Sequence, residues 1–162
     1  MASAVIGRGV EGDKEHLEWL RAEFGIPNAV ELRMPEAGAD LVKLVVEDGI
    51  ALAEDHLRAG LRLPFPSVVR EVLWRLSLAP AQLTPSAYMI LYAVAVMWPE
   101  LFKEEGRPML TADEFLYMYH PQKCSEGAWA FRSRGGAGSP VELTKMQTSW
   151  REWRRRVVIV AG

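Results

Sequence analysis

A long apolar stretch in the middle of the chain constrains the fold more than any other feature. Residues 87–98 are apolar throughout when the two tyrosines are counted, well short of the roughly 20 residues that a membrane-spanning helix needs. Thr84 and Pro85 precede the stretch as a capping hydroxyl and a proline suited to the first helical position. We therefore predict a helix that runs to about Trp98, where Pro99 closes it, and that is buried on nearly all sides.

Shorter segments with helical periodicity flank this central helix. They cover residues 15–24, 49–59 and 67–78, where apolar side chains recur every three or four positions. Thr111 and Glu114 have the spacing of a capping box, and Pro121 is expected to end the helix that follows them. The sequence thus predicts several helices around one core.

The last part of the chain has a different pattern, with two segments that favour strands. Residues 128–134 carry aromatic side chains at strand-like spacing, and residues 157–160 form a β-branched run. An antiparallel pairing of these two segments is a plausible arrangement. A further run, 41–46, is open to two interpretations, a strand or a lead-in to the next helix. The resulting prediction is a mostly α fold, a compact helical domain with a small antiparallel β element near the C-terminus.

Length and composition set the domain organisation and the compartment. The chain has 162 residues, 49% hydrophobic and 25% charged, which suits one globular domain. Residues 1–12 are predicted to be a flexible lead and residues 13–162 a single domain. Cys124 is the only cysteine, so an intrachain disulfide is impossible and a reducing intracellular compartment, cytoplasm or nucleus, is expected. No secretory signal and no membrane span are predicted.

The side chains do not form a recognisable catalytic or metal-binding pattern. His120 and Cys124 are four residues apart, but a structural zinc site needs four ligands at matched spacing. Glu54 and Asp55 are adjacent, and neighbours on a helix do not face each other. No G-x-S-x-G or phosphate-binding loop is present. We predict a non-enzymatic protein without catalytic residues, metal, cofactor or small-molecule substrate.

The charge of the chain is unevenly distributed. Residues 123–162 hold eight basic and three acidic residues, a net +5, which leaves −7 for residues 1–122. The basic residues are concentrated near Trp150 and Trp153, and arginines beside tryptophans are typical of nucleic-acid binding. The residues that would make such contacts are Lys145, Arg151, Arg154, Arg155 and Arg156. The same pattern also suits a segment whose tryptophans enter the core while arginine stems cover it.

Six methionine and tryptophan residues are candidates for a protein-binding surface. Such side chains are common at protein-binding surfaces, although at helical spacing they more often belong to the core. The residues concerned are Trp74, Met89, Met97, Trp98, Met109 and Met118.

Three blocks, taken in order, resemble one family. HLRAGLRLPFPSVVREVLWRLSLAPAQLTPSAYMILYAVAVMW, LTADEFLYMYHPQKCSEGAWAFRSR and SWREWRRRVVIV look like the successive blocks of the plant gypsy-type transposon domain, which is sometimes labelled a transposase. Ser86 stands where the family often has asparagine, and Phe131 where a tyrosine-like residue is common. The closing strand has valines and an isoleucine where the family favours phenylalanine.

The resemblance implies a genetic context and no catalytic residues. It suggests a segment encoded by, or derived from, a plant retrotransposon, on the capsid side of the element, and the end of the chain inside an apolar strand suggests a fragment of a longer parent. Combined with the apolar helices, this context favours association with a protein partner or with a second copy of the chain. The alternative is nucleic-acid binding through the basic C-terminal segment.

Overall fold

The structure, a computed structural model, describes residues 10–36, 38–41, 44, 46–124, 127–135, 143, 150 and 152–161. Its helices are α1 (Val10–Phe24), α2 (Glu54–Arg58), α3 (Ser67–Leu76), α4 (Pro85–Leu101) and α5 (Ala112–Met118), with short 3-10 turns at Pro80–Gln82 and Trp153–Arg155. Its strands are β1 (Glu31–Arg33), β2 (Gly49–Ala53), β3 (Tyr119–Lys123), β4 (Trp129–Ser133) and β5 (Val157–Ala161).

Helix α4 occupies the centre of the core, as its composition predicts. The Thr84 hydroxyl accepts a hydrogen bond from the Ala87 amide at 3.2 Å and caps the helix. Tyr88, Leu91 and Val94 are fully buried and form the face that packs into the core, whereas Val96 is 74% exposed, so the helix is less completely buried than predicted. It continues to Leu101, past the predicted end, with Pro99 inside its last turn.

The prediction of a mostly α fold is wrong, because the structure is a mixed α and β domain with two small antiparallel sheets. The first sheet has the order β1-β5-β2, and the second is the hairpin β3-β4. Strand β5 pairs Val160 with Leu32 of β1 and with Ile50 of β2. Strands β1 and β2, which the sequence did not predict, are therefore held by a partner more than 100 residues away in sequence.

Residues 49–59 are predicted as one helix, but they divide into β2 and α2. Alanine and leucine favour a helix when considered alone, and that preference is weak enough for tertiary pairing to override it. Glycine at 49 permits the pairing, since a Cβ at this position would lie 2.5 Å from the Val160 carbonyl oxygen. The helix starts only where β2 leaves the sheet, at Glu54, whose amide donates to the Arg156 carbonyl at 2.8 Å.

The two strands predicted near the C-terminus exist as β4 and β5, but they do not pair with each other. Strand β4 pairs with β3, in which Pro121 faces Phe131. Pro121 does not simply follow a helix, since α5 has already ended at Met118 and the chain continues as an extended strand. A proline is tolerated there because each strand of a two-stranded sheet has an unpaired edge.

Other predicted segments stand as follows. Helix α1 contains the predicted range 15–24 and begins at Val10, inside the range assigned to a flexible lead, whose residues 1–9 lie outside the described part. Helix α3 ends at Leu76, where Ser77 adopts a left-handed conformation. In the run 41–46, the described residues Leu41, Leu44 and Val46 are not in a strand.

Replacing Gly49 with alanine tests the sheet directly. The added methyl group would meet a backbone oxygen that cannot move without breaking the β2–β5 pairing, so Gly49→Ala should lower the free energy of unfolding by roughly 1–3 kcal/mol. Urea denaturation followed by circular dichroism measures this change. An unchanged midpoint would show that β2 is not paired in this register.

Candidate functional site

The C-terminal end of α4 and helix α5 enclose a pocket, which we call the α4–α5 pocket. Its volume is about 380 Å³. Most of its wall is aromatic or apolar, with three charged side chains at the edge. The lining residues are Trp98, Phe102, Arg107, Asp113, Glu114, Tyr117 and Met118.

A tight turn after α4 positions two of these side chains. The Arg107 amide donates to the Phe102 carbonyl at 3.2 Å, and Gly106 adopts a left-handed conformation with φ of 67°. A glycine at this position avoids the steric penalty that other residues meet there. The turn brings the Arg107 guanidinium over the Phe102 ring, 6.0 Å from its centroid.

The start of α5 supplies the carboxylate that pairs with Arg107. Thr111 and Glu114 form the predicted capping box, in which the Thr111 amide donates to the Glu114 carboxylate at 2.9 Å. The other carboxylate oxygen accepts from Arg107, also at 2.9 Å. Slight burial opposes the ionisation of Glu114, but the hydrogen bonds from Thr111 and the charge of Arg107 outweigh it and hold its pKa below the usual value.

The second carboxylate of the pocket links α5 to α3. Both oxygens of Asp113 accept hydrogen bonds from the Arg75 guanidinium. The pair is exposed, and its contribution to stability is therefore small. It connects α3 to the side of α5 that borders the pocket.

Three aromatic residues, Trp98, Phe102 and Tyr117, line the α4–α5 pocket. The rings of Trp98 and Phe102 lie 4.1 Å apart, centroid to centroid, and Trp98 is 2% exposed. Tyr117, at the mouth, is 65% exposed. Leu101 at the end of α4 and Met109 before α5 are also exposed. Apolar surface therefore continues from the pocket to the solvent.

Sequence reasoning identified only part of this site. Trp98 and Met118 line the pocket, and Trp74 and Met109 are 81% and 65% exposed, as a partner surface would require. Met89 and Met97 are half-buried against the core. The sequence patterns did not indicate that the pocket would include Phe102, Arg107, Asp113, Glu114 and Tyr117. The Gly106-Arg107 pair after a helix is the signal that could have located the turn.

The tryptophans of the predicted nucleic-acid segment pack against the rest of the protein, whereas base stacking requires exposed aromatic rings. Trp153 packs on the His56 ring with centroids 5.0 Å apart, and Trp150 also packs against the core. Arg154 lies over the Trp153 ring at 5.0 Å, and Arg155 pairs with Glu152 at 2.8 Å. Both tryptophans thus serve packing, which favours the structural interpretation.

Of the remaining residues of that prediction, Arg156 lies in the described part of the chain. Arg156 is exposed, and its backbone carbonyl bonds to the start of α2. Lys145 and Arg151 lie outside the described residues. Nucleic-acid binding stays a prediction.

Two histidines form buried contacts away from the pocket. The His56 ring accepts from the Ala53 amide at Nδ1 (3.2 Å), so its Nε2–H donates to the Leu83 carbonyl at 2.8 Å. Burial lowers the pKa of His56 to about 3, against a smaller opposite effect of the Leu83 carbonyl. His16 on α1 contacts the buried Glu54 carboxylate at 2.6 Å. These contacts connect elements of the core, and we assign them a structural role.

The described residues contain neither a metal-binding cluster nor a helix that could span a membrane. In the described part of the chain, no group of three or more histidine, cysteine, aspartate or glutamate side chains is arranged to hold a metal ion. No helix in that part is both long and apolar enough to cross a bilayer. Comparison of the chain with family models, with curated proteins and with solved structures finds no match.

The buried His56 predicts a pH dependence of stability. Because its folded pKa is lowered below the unfolded value of 6.5, the unfolded state binds the extra proton, and stability present above pH 6.5 is lost as the pH falls toward 3. The loss should approach about 1.4 kcal/mol per pH unit. Urea denaturation of the wild type at pH 7.5 and 5 measures it. Titration of the His56 ring near pH 6.5, followed by NMR, would contradict the assignment.

Proposed function

We propose that this chain is a non-enzymatic protein-association domain that binds a second copy of itself through the α4–α5 pocket. The observation that carries the proposal is an aromatic pocket with exposed apolar edges at one end of α4. Six large apolar side chains are exposed among the described residues, and four of them belong to the helices and loop that form or border the pocket: Trp74, Leu101, Met109 and Tyr117. The other two are Trp19 on α1 and Val96 on α4, neither of which lines the pocket. Exposed aromatic residues beside a pocket are typical anchors of protein interfaces.

Charge supports a second copy as the occupant. The turn after α4 carries Glu104 and Glu105, both exposed, next to the exposed Glu100. We call these three residues the acidic rim. Arg154, Arg155 and Arg156, with Glu152, form the arginine segment. Lys103 and Arg107 lie in the same turn as the acidic rim, so three acids and two cations give this region a net charge of −1, and the pocket carboxylates Asp113 and Glu114 make the region more negative. That excess of acids favours a partner with an excess of cations, and the chain itself carries one.

The two charged regions lie near opposite ends of α4. The His56 ring contacts Tyr88 at the start of the helix, with ring centroids 5.1 Å apart. It also contacts Trp153, the neighbour of Arg154 in sequence, with ring centroids 5.0 Å apart. The pocket residue Trp98 is ten positions further along, which corresponds to about 15 Å of helix axis. A contact between the rim of one copy and the arginine segment of the next is therefore head-to-tail, and such contacts build chains or rings.

The origin and compartment are part of the same proposal. The resemblance of the blocks within 56–98, 110–134 and 149–160 to the plant gypsy-type transposon domain supports an origin in a retrotransposon and a capsid-side role. The exposed free thiol of Cys124 fits a reducing compartment, cytoplasm or nucleus. Reverse transcriptase coding sequence downstream of the gene would support this origin, and its absence together with a conserved host gene context would contradict it.

Charge reversal tests the self-association. Size-exclusion chromatography with light scattering should show concentration-dependent assembly at low salt, weakened at 0.5 M salt by screening. The double variants Glu104→Lys/Glu105→Lys and Arg155→Glu/Arg156→Glu should each be monomeric alone, since like charges then meet. An equimolar mixture of the two should assemble again, because each rim then meets an end of opposite charge.

A matched control separates this contact from a general effect of charge. Glu18→Lys/Glu23→Lys makes the same charge change on exposed positions of α1 and should assemble like the wild type. A strictly monomeric wild type at high concentration and low salt contradicts the proposed function. So does a mixture of the two reversed variants that stays monomeric.

A further inference from the structure

The α4–α5 pocket already contains a cation that belongs to the chain itself. The Arg107 guanidinium lies 6.0 Å from the Phe102 ring centroid, and its Nη1 donates to the Glu114 carboxylate at 2.9 Å. A positive group over an aromatic face, with a carboxylate beside it, is the arrangement by which proteins bind organic cations. Arg107 thus shows which chemistry the pocket accommodates.

The rest of the lining has the same character. Phe102 and Tyr117 present aromatic surface, whereas Trp98, which is 2% exposed, contributes little accessible area. Asp113 and Glu114 add two carboxylates, that of Asp113 already paired with Arg75. Aromatic faces carry the negative part of the ring quadrupole and attract positive charge. The volume of about 380 Å³ lies within the range of small-ligand sites, roughly 300–1,000 Å³.

Arg107 is held in the pocket only weakly. Its side chain is 53% exposed and that of Glu114 is 25% exposed, and ion pairs this accessible to water contribute little to stability. The backbone of Arg107 is fixed by the turn, whereas its long side chain needs only rotations about single bonds to leave the Phe102 ring. Another cation is therefore able to take its place without any change in the fold.

We propose that the α4–α5 pocket binds an organic cation, a guanidinium or quaternary ammonium group on a protein side chain, in exchange for the Arg107 side chain. This inference deepens the proposed function and rests on it only for the identity of the partner. On that basis the occupant of the pocket is an arginine from the arginine segment of the second copy. The class of ligand follows from the pocket alone.

The first experiment compares two probes of the same shape and different charge. Choline and the neutral 3,3-dimethyl-1-butanol are titrated into the full chain and followed by NMR at the Trp98 indole N–H and the Tyr117 and Phe102 rings. Choline should shift these signals and bind more tightly than the alcohol by between about twofold and thirtyfold, the range that cation–π contacts contribute.

Variants then test the exchange. Arg107→Ala should increase choline affinity because it removes the competing cation, whereas Arg70→Ala, an exposed arginine of α3 outside the pocket, should leave it unchanged. Phe102→Leu keeps an apolar side chain and removes the aromatic face, so it should reduce choline affinity while alcohol binding changes little. Circular dichroism checks that each variant is folded, and the Arg107 variant alone suffices if the Phe102 variant is not.

The inference is overturned if the alcohol binds as tightly as choline, if Arg107→Ala leaves choline binding unchanged or undetectable, or if the shifted signals lie outside the pocket. Its failure differs from failure of the proposed function. If the chain assembles, does not bind choline, and stays assembled when choline is added, the cation pocket is refuted and self-association is not. A monomeric chain that binds choline refutes self-association and leaves the cation pocket in place.

Discussion

The burial of α4 is the constraint on which the rest of the structure depends. An apolar helix of this length must be covered on most sides to be stable in water, and the chain meets that requirement with α2 and β4, which contact α4, together with apolar side chains of the other elements in the same core cluster. The cover is incomplete at two places, at Val96 within the helix, which is 74% exposed, and at the C-terminal end. Where α4 ends, Phe102 remains half-buried and Leu101 is exposed, and the turn folds back to form the α4–α5 pocket.

The opposite end of α4 is closed by long-range contacts. Thr84 caps the helix through its hydroxyl, and its amide donates to the Trp129 carbonyl of β4 at 2.9 Å. His56, buried as a neutral ring, lies between Tyr88 and Trp153 and so joins α2, α4 and the arginine segment. The N-terminal end of α4 is therefore covered and lies near the arginine segment, whereas its C-terminal end carries the pocket with its aromatic and acidic residues. The two ends of the molecule differ in charge and in exposed apolar surface, which we call its polarity. The proposed head-to-tail contact uses that polarity, and the proposed cation pocket explains why arginine would be the contacting side chain.

Local signals predicted the elements whose formation is local. The Thr84-Pro85 start of α4 and the Thr111–Glu114 capping box are both present, because each depends on residues within one helical turn. Strand β2 and its pairing with β5 were missed, since the partner of Ile50 is Val160 and no local pattern carries that information. Helical propensity alone therefore gave the wrong fold class.

The site was predictable to a similarly limited extent. Trp98 was singled out from the sequence, but its relation to Tyr117 and Arg107 depends on how α5 packs against the end of α4, which a single sequence does not reveal. For the arginine segment, both the binding and the packing interpretation were open. The position of Trp153 on His56 favours packing for the tryptophans, while Arg155 and Arg156 stay exposed.

Intermolecular paramagnetic relaxation in a mixed sample tests the head-to-tail arrangement most directly. One set of copies carries a nitroxide at Lys103→Cys in a Cys124→Ser background, and the other set is ¹⁵N-labelled without a nitroxide, so that only contacts between copies broaden signals. The account predicts broadening of the amides of residues 154–158 in the labelled copies. Broadening centred on residue 103 itself would indicate a two-fold symmetric contact and would contradict the head-to-tail arrangement. The absence of broadening at concentrations where the chain assembles would contradict it too, because the pocket end would then lie outside the interface.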